Sequence, residues 1–260
     1  MNQPLNVLLI EAKKSLRTKV PLITLIAVLF IPLVGALFMI ILKNPEEAKN
    51  LGIISTKAQL FAGTASWEVY LSLFSQAIAI GGIIIYSFIA SWVFGQEYID
   101  KTITDLLVLP TSRTVITTAK FALISLWSFL YSLLALFIGV VLGFMLKLPG
   151  FSSQLLWDGI YRYIVISLMA VLLSWAIALI ANISKSYFPA IGFAIFMIIL
   201  AQIIGVLGWG EYFPWSIPSI YSQITPNVHL GPVSYIIVLI TGLVGLLGTI
   251  GWWRCADHAY

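Results

Sequence analysis

Residues 95–120 read GQEYIDKTITDLLVLPTSRTVITTAK, the longest polar, charge-bearing stretch between two long apolar runs. On a helical wheel Ile99, Ile103, Leu106 and Leu107 fall on one side, and Glu97, Lys101, Thr104 and Asp105 on the other. Glu97 and Lys101 stand in the favourable i,i+4 order, acid before base. The pattern predicts a short amphipathic helix that Pro110 ends by biasing its predecessor away from helical angles. Thr111 or Ser112 can then cap the next helix, which climbs from Val115. A helix lying crosswise between two membrane spans rests either on headgroups or on a partner, and the pattern alone leaves both open.

Outward from this stretch the chain is apolar. Of its 260 residues 60% are hydrophobic and 9% charged, with a mean hydropathy of +1.03. Water-soluble domains carry about a quarter charged residues, so the composition predicts an all-α integral membrane protein. Six runs can each cross a hydrocarbon core of about 30 Å: 20–42, 71–94, 115–146, 160–183, 187–207 and 232–252. The third exceeds what a crossing needs and is expected to tilt or project. Together they make one transmembrane domain over 1–260, with a connecting segment at 95–114. A cleaved leader is not expected, because the first run is too long and no A-x-A-like site follows it.

Before the first span, residues 4–19 carry Leu5, Leu8, Leu9, Ala12 and Leu16 on one stripe, with Glu11, Lys14 and Arg17 opposite. That suits an interfacial helix in the headgroups, or a simple extension of the first span. Nine of the 14 Lys and Arg fall on one side if the N-terminus is cytoplasmic. The bias predicts both termini, and the 95–120 stretch, in the cytoplasm.

On the outer side, residues 44–70 read as a surface connection. Residues 208–232 combine Trp209, Tyr212, Phe213, Trp215 and Tyr221 with four prolines. Prolines forbid a long helix there, so short broken helices are expected, serving as an outer gate or as an aromatic belt. Asp158 and Arg162 can pair at i,i+4 and anchor the fourth span. The turn Asn182–Ser186 makes spans four and five an antiparallel hairpin. Glycines 242, 245, 248 and 251, and Gly139 with Gly143, mark close helix seams within the chain or between subunits.

The spans exclude several chemistries. None has a charge in its central part, and Lys120 sits near an inner end, from which it can snorkel to the headgroups. Ion-coupled carriers need an ionisable group in the membrane, so a secondary carrier is disfavoured. With one cysteine and two histidines, both outside the apolar runs, no metal site is expected. No protease constellation and no GxxxxGK[ST] loop occurs, so catalytic residues are not expected, and any uphill work must be powered by another polypeptide.

Glu97, Thr102, Leu106, Leu107, Pro110, Ser112, Arg113 and Lys120 together resemble the segment after the second span of type-2 exporter permeases of the ATP-binding-cassette superfamily. The six spans, amphipathic N-terminal helix and broken outer segment fit as well. The chain departs from the pattern in having Lys101 where many members have Gly, and in lacking an Arg after the acid. The resemblance implies a permease paired with a second permease, identical or not, and with two cytoplasmic ATPases that bind ATP and Mg. It makes residues 96–109 a coupling helix, with Glu97, Asp100, Lys101, Thr102, Asp105, Leu106, Pro110 and Arg113 carrying the ATPase contact. It also implies a path formed mainly by spans one, two and five. The expected cargo is amphipathic or hydrophobic, such as a peptide antibiotic, drug or lipid. Membrane lipids, and no nucleic acid, complete the expected partners. The competing reading is a non-transporting immunity or scaffold protein that docks a cytoplasmic partner through the same helix.

Overall fold

A computed structural model describes residues 3–43, 65–102, 112–222 and 230–255. Helix α1 (Gln3–Leu16) precedes six helices long and apolar enough to cross a membrane. These are α2 (Val20–Lys43), α3 (Trp67–Ile99), α4 (Arg113–Met145), α5 (Ser153–Ile183), α6 (Tyr187–Val206) and α8 (Pro232–Cys255). The short helix α7 (Ile217–Ser222) lies before α8 and follows a 3₁₀ turn at Gly210–Tyr212. Helices are the rule because hydrocarbon offers the backbone no outside partner, so each N–H and C=O must be satisfied within its own segment.

Several ends differ from the hydropathy reading, for a physical reason. Helices α3, α4, α5 and α6 start on serine N-caps at Ser66, Ser112, Ser152 and Ser186, each accepting a bond from a backbone N–H of the first turn. The caps carry α3 and α5 through polar residues such as Glu68 and Asp158, which hydropathy assigns to loops. The long third span is therefore not exceptional, since α3 and α4 each have 33 residues and α5 has 31. Between α4 and α5, Lys43 of α2 donates to the carbonyl of Leu146, closing that end of the bundle.

Helices α3 and α5 form the centre, and α2 and α6 show most of their surface to the surroundings. In α2 one face alone is buried: Thr24, Val28, Pro32, Ala36 and Met39. The glycine stripe of α8 is an intramolecular seam. A Cβ on Gly245 would sit 2.5 Å from the backbone of Trp175 and Ala176, and Gly242 and Gly248 face Leu172 and Leu179 of the same helix. Gly251 has open space instead. Gly139 and Gly143 of α4 admit the rings of Phe74 and Trp67 from α3.

Two expectations are corrected. Asp158 and Arg162 form no ion pair with each other, among the described residues, despite their spacing. The helix that contains Glu97 is not a separate crosswise helix ended by Pro110. Residues 95–99 continue the second span, which stops at Ile99 in a Schellman turn. Thr102 N–H donates to Glu97 O at 3.0 Å and Lys101 N–H to Tyr98 O at 3.3 Å. Lys101 holds the left-handed position of that turn with φ 56°, which is the position glycine favours. The remainder of the expected crosswise helix, with Asp105, Leu106 and Pro110, lies outside the described residues. So does most of the 44–70 connection.

Candidate functional site

Four charged groups meet where α3 ends. Glu97, on the last turn of α3, and Lys120, two turns into α4, are each 0% exposed. Lys120 Nζ donates to Glu97 Oε1 at 2.6 Å, to Glu11 Oε2 at 3.0 Å and to Val93 O at 3.2 Å. Those three bonds use all three ammonium donors, and the ring of Phe94 lies 5.7 Å from the same nitrogen. Glu97 Oε1 also accepts from Lys14 Nζ at 2.7 Å, and Lys14 is the member that reaches the surface. Glu97 Oε2 is buried with no partner among the described residues.

The charges balance, two carboxylates against two ammonium groups. Charge balance and the full set of bonds on Lys120 are what make ion burial tolerable, because an isolated buried charge loses its hydration without return. Inside the protein, the cluster also gives a partner to the polar face of α1. Its leucines Leu5, Leu9 and Leu16 are exposed on the outside of the bundle, and Glu11 points inward at Lys120. Lys120 therefore does not snorkel; it is held in place by its counter-ions.

A second, uncharged knot lies beside the first. Asn182 Oδ1, in the last turn of α5 just before the α5–α6 turn, accepts from Trp253 Nε1 at 2.6 Å and from Tyr98 Oη at 3.4 Å. Its Nδ2 donates to Ala178 O at 2.7 Å. Gly95 lets this turn close on α3, since a Cβ there would lie 2.6 Å from Tyr187 N. Arg113, the first residue of α4, donates from Nη1 to Trp253 O at 2.9 Å. Arg254 donates to Thr114 Oγ1 from Nε and Nη2 at 3.0 and 2.9 Å.

Both feet of the 103–111 segment are thus fastened. The described residues end at Thr102, one turn beyond Glu97 and Tyr98, and resume at Ser112, just before Arg113 and Thr114. Those anchors tie α1, α3, α4, the α5–α6 turn and α8 into one base.

Of the residues expected to contact a partner, Asp100 and Lys101 are exposed and Thr102 is half-buried. Arg113 is half-buried against α8, and Glu97 is turned inward rather than lying on an outward polar face. Glu11, Lys14, Asn182 and Trp253 were not singled out as site residues. The available signal for the first two was a lone lysine inside an otherwise uncharged span, which demands a counter-charge.

Residues 7–201, well over half of the chain, match the sequence pattern described as ABC-2 family transporter protein. The chain belongs to the ABC-2 transporter family. Its members are membrane permeases of ATP-binding-cassette transporters and associate with ATPase partners. The six-span bundle is therefore that of a multi-pass membrane permease subunit. A similar protein is the bacitracin transport permease protein BCRB of Bacillus licheniformis, 27% identical over 177 residues, which cover 68% of this chain and 85% of that one.

Proposed function

We propose that the chain is the driven subunit of an exporter, with both termini in the cytoplasm and the 95–114 segment seated on a separate ATPase that binds ATP and Mg. The observation that carries this reading is the ion cluster at the root of that segment. A lever transmits motion only if its foot does not yield, and Glu97, Lys120, Glu11 and Lys14 join three helices at that foot. In this reading Asp100, Lys101, Asp105, Leu106 and Pro110 make or shape the contact, while Arg113 and Thr102 brace its two ends. Glu97 is a positioning residue that acts through Lys120 and Lys14. Rigid coupling costs no reorganisation at each ATP cycle, because the groups that would otherwise rearrange are already bonded.

The cargo we propose is an amphipathic peptide antibiotic. The uncharged middle of the spans favours such a molecule over an ion, and the name of the relative from Bacillus licheniformis points to one. A second permease, identical or not, completes the path.

The test is co-expression with the candidate ATPase, purification of the complex and reconstitution into liposomes. Bacitracin should stimulate ATP hydrolysis, and Asp100→Lys or Asp105→Lys should lower that stimulation while leaving thermal stability unchanged. Co-purification without ATP-dependent movement of any peptide would favour the scaffold reading. Failure of any Walker-motif ATPase to co-purify would overturn the coupling role.

A further inference from the structure

The end of the bundle away from α1 holds a second group of charges, and they are not paired with one another. Helices α3 and α5 run in the same direction here, and their first three turns border a cavity of 290 Å³ lined by Glu68, Ser72 and Ser75 of α3 and by Asp158, Gly159 and Arg162 of α5. That volume is at the small end for ligand pockets, which run from about 300 Å³ upward. Gly159 brings the helices together at its wall, since a Cβ there would lie 2.8 Å from a methyl of Leu71.

Two carboxylates and one guanidinium share this cavity, yet no ion pair joins any of them among the described residues. Ser75 is 1% exposed and lines the same cavity, and its hydroxyl donates no hydrogen bond among the described residues. Its oxygen is not one of the sealed, orphaned atoms of the bundle interior, so it is open to whatever occupies the cavity. Charges of both signs and a free hydroxyl that converge without neutralising one another suit a ligand that itself carries both signs.

Depth identifies the source of that ligand. From Arg162 to Ile183, where α5 ends beside the ion cluster, the helix rises about 32 Å, and from Ser75 to Ile99 about 36 Å. With the ion-cluster end taken as one boundary of a hydrocarbon core about 30 Å thick, Arg162 and Ser75 fall at the other, and Glu68 and Asp158 beyond it among the headgroups. Trp157 and Tyr161, which flank Asp158 and Arg162 on α5, are exposed, as aromatic side chains at that boundary are.

We propose that this cavity binds the headgroup of a zwitterionic phospholipid bearing a primary ammonium, such as phosphatidylethanolamine, with its phosphate on Arg162 and its ammonium between Glu68 and Asp158. Arg162 suits a phosphate because its planar fork offers paired donors. Ser75 and Ser72 supply hydroxyls to the remaining phosphate or glycerol oxygens. The acyl chains continue along the apolar outer faces of the helices. The site is independent of which leaflet it occupies and of the coupling role proposed above.

Native mass spectrometry of the detergent-purified full-length chain, titrated with phosphatidylethanolamine and with phosphatidylglycerol of the same acyl chains, tests it. The expected result is preferential retention of phosphatidylethanolamine. The double variant Glu68→Gln, Asp158→Asn should abolish that preference, and Arg162→Gln should weaken binding of phosphatidylethanolamine about tenfold, as loss of a charge-assisted bond does. Should a charge variant fail to fold, Ser75→Leu fills the cavity without touching a charge and should weaken retention likewise. Equal retention of both lipids, retention of phosphatidylglycerol alone, or wild-type retention in the folded variants would overturn the proposal. Capture of a basic peptide in preference to either lipid would overturn it as well.

Discussion

At the α1 end of the bundle, Lys120 Nζ stands 2.6 Å from Glu97 and 3.0 Å from Glu11, and every donor on it is bonded. At the other end, Glu68, Asp158 and Arg162 border one cavity and none is within ion-pair distance of another. Both ends place acids and bases on neighbouring helices, so composition does not separate them. Burial does. Where side chains are sealed from water, charges must find each other within the chain. Where a cavity opens at the membrane boundary, they can remain available to something else. Internal ion pairs therefore make an end rigid, and unpaired charges make an end receptive.

The sharpest way to break this contrast is Lys120→Met. It leaves two buried carboxylates with Lys14 as the one counter-ion of the cluster and should cost about 3–5 kcal/mol, read as a large fall in the thermal midpoint of the detergent-solubilised protein. Adding Glu97→Gln and Glu11→Gln should restore part of that loss. If the triple variant is no more stable than the single one, the cluster is not held by its charges. Lys14→Met, at the exposed edge of the same cluster, should cost less than Lys120→Met in the same measurement.

Gly245→Ala probes rigidity without charge. Its methyl would press on the Trp175 and Ala176 backbone, where nothing flexible can give way. Overpacking of this kind costs about 1–3 kcal/mol, and Gly251→Ala, which meets open space, is the matched control. A smaller effect of opposite sign is expected from Lys101→Gly. It relieves a left-handed non-glycine residue and should stabilise by up to about 1 kcal/mol. A loss of stability on that change would mean that the lysine side chain supports the turn. Smallest of all, Arg162→Gln should change stability of the lipid-free protein by no more than about 0.5 kcal/mol, although it alters what the cavity retains. A large loss there would erase the difference between the two ends.

The same contrast governs what could be read from the chain itself. The six spans were legible because a bilayer imposes a length and a polarity that no neighbour can override. Their starts were not, since a serine cap extends a helix through polar residues that hydropathy assigns to a loop, as at Ser152. Glu97 and Lys120 were visible as a pair of positions in a family-like pattern. Their bond was not, and neither was the part played by Glu11 and Lys14, whose partners lie 109 and 83 residues away. On a helical wheel Glu11 belongs to the polar side of an interfacial helix. Only packing shows that this side faces the protein and that the leucines face out. Lys101 gave the opposite case: its departure from a common glycine marked a turn whose left-handed angle the fold retains.

The separation of Glu11 from Lys120 also bears on how the protein is made. Synthesis runs from the N-terminus at about 5–20 residues per second, and 109 residues separate the acid from its base. For roughly 5–20 s the newborn first helix carries an unanswered carboxylate, and it must wait at the membrane surface while two spans are threaded past it. Its bond to Lys120 therefore cannot form until the first turns of α4 have been made.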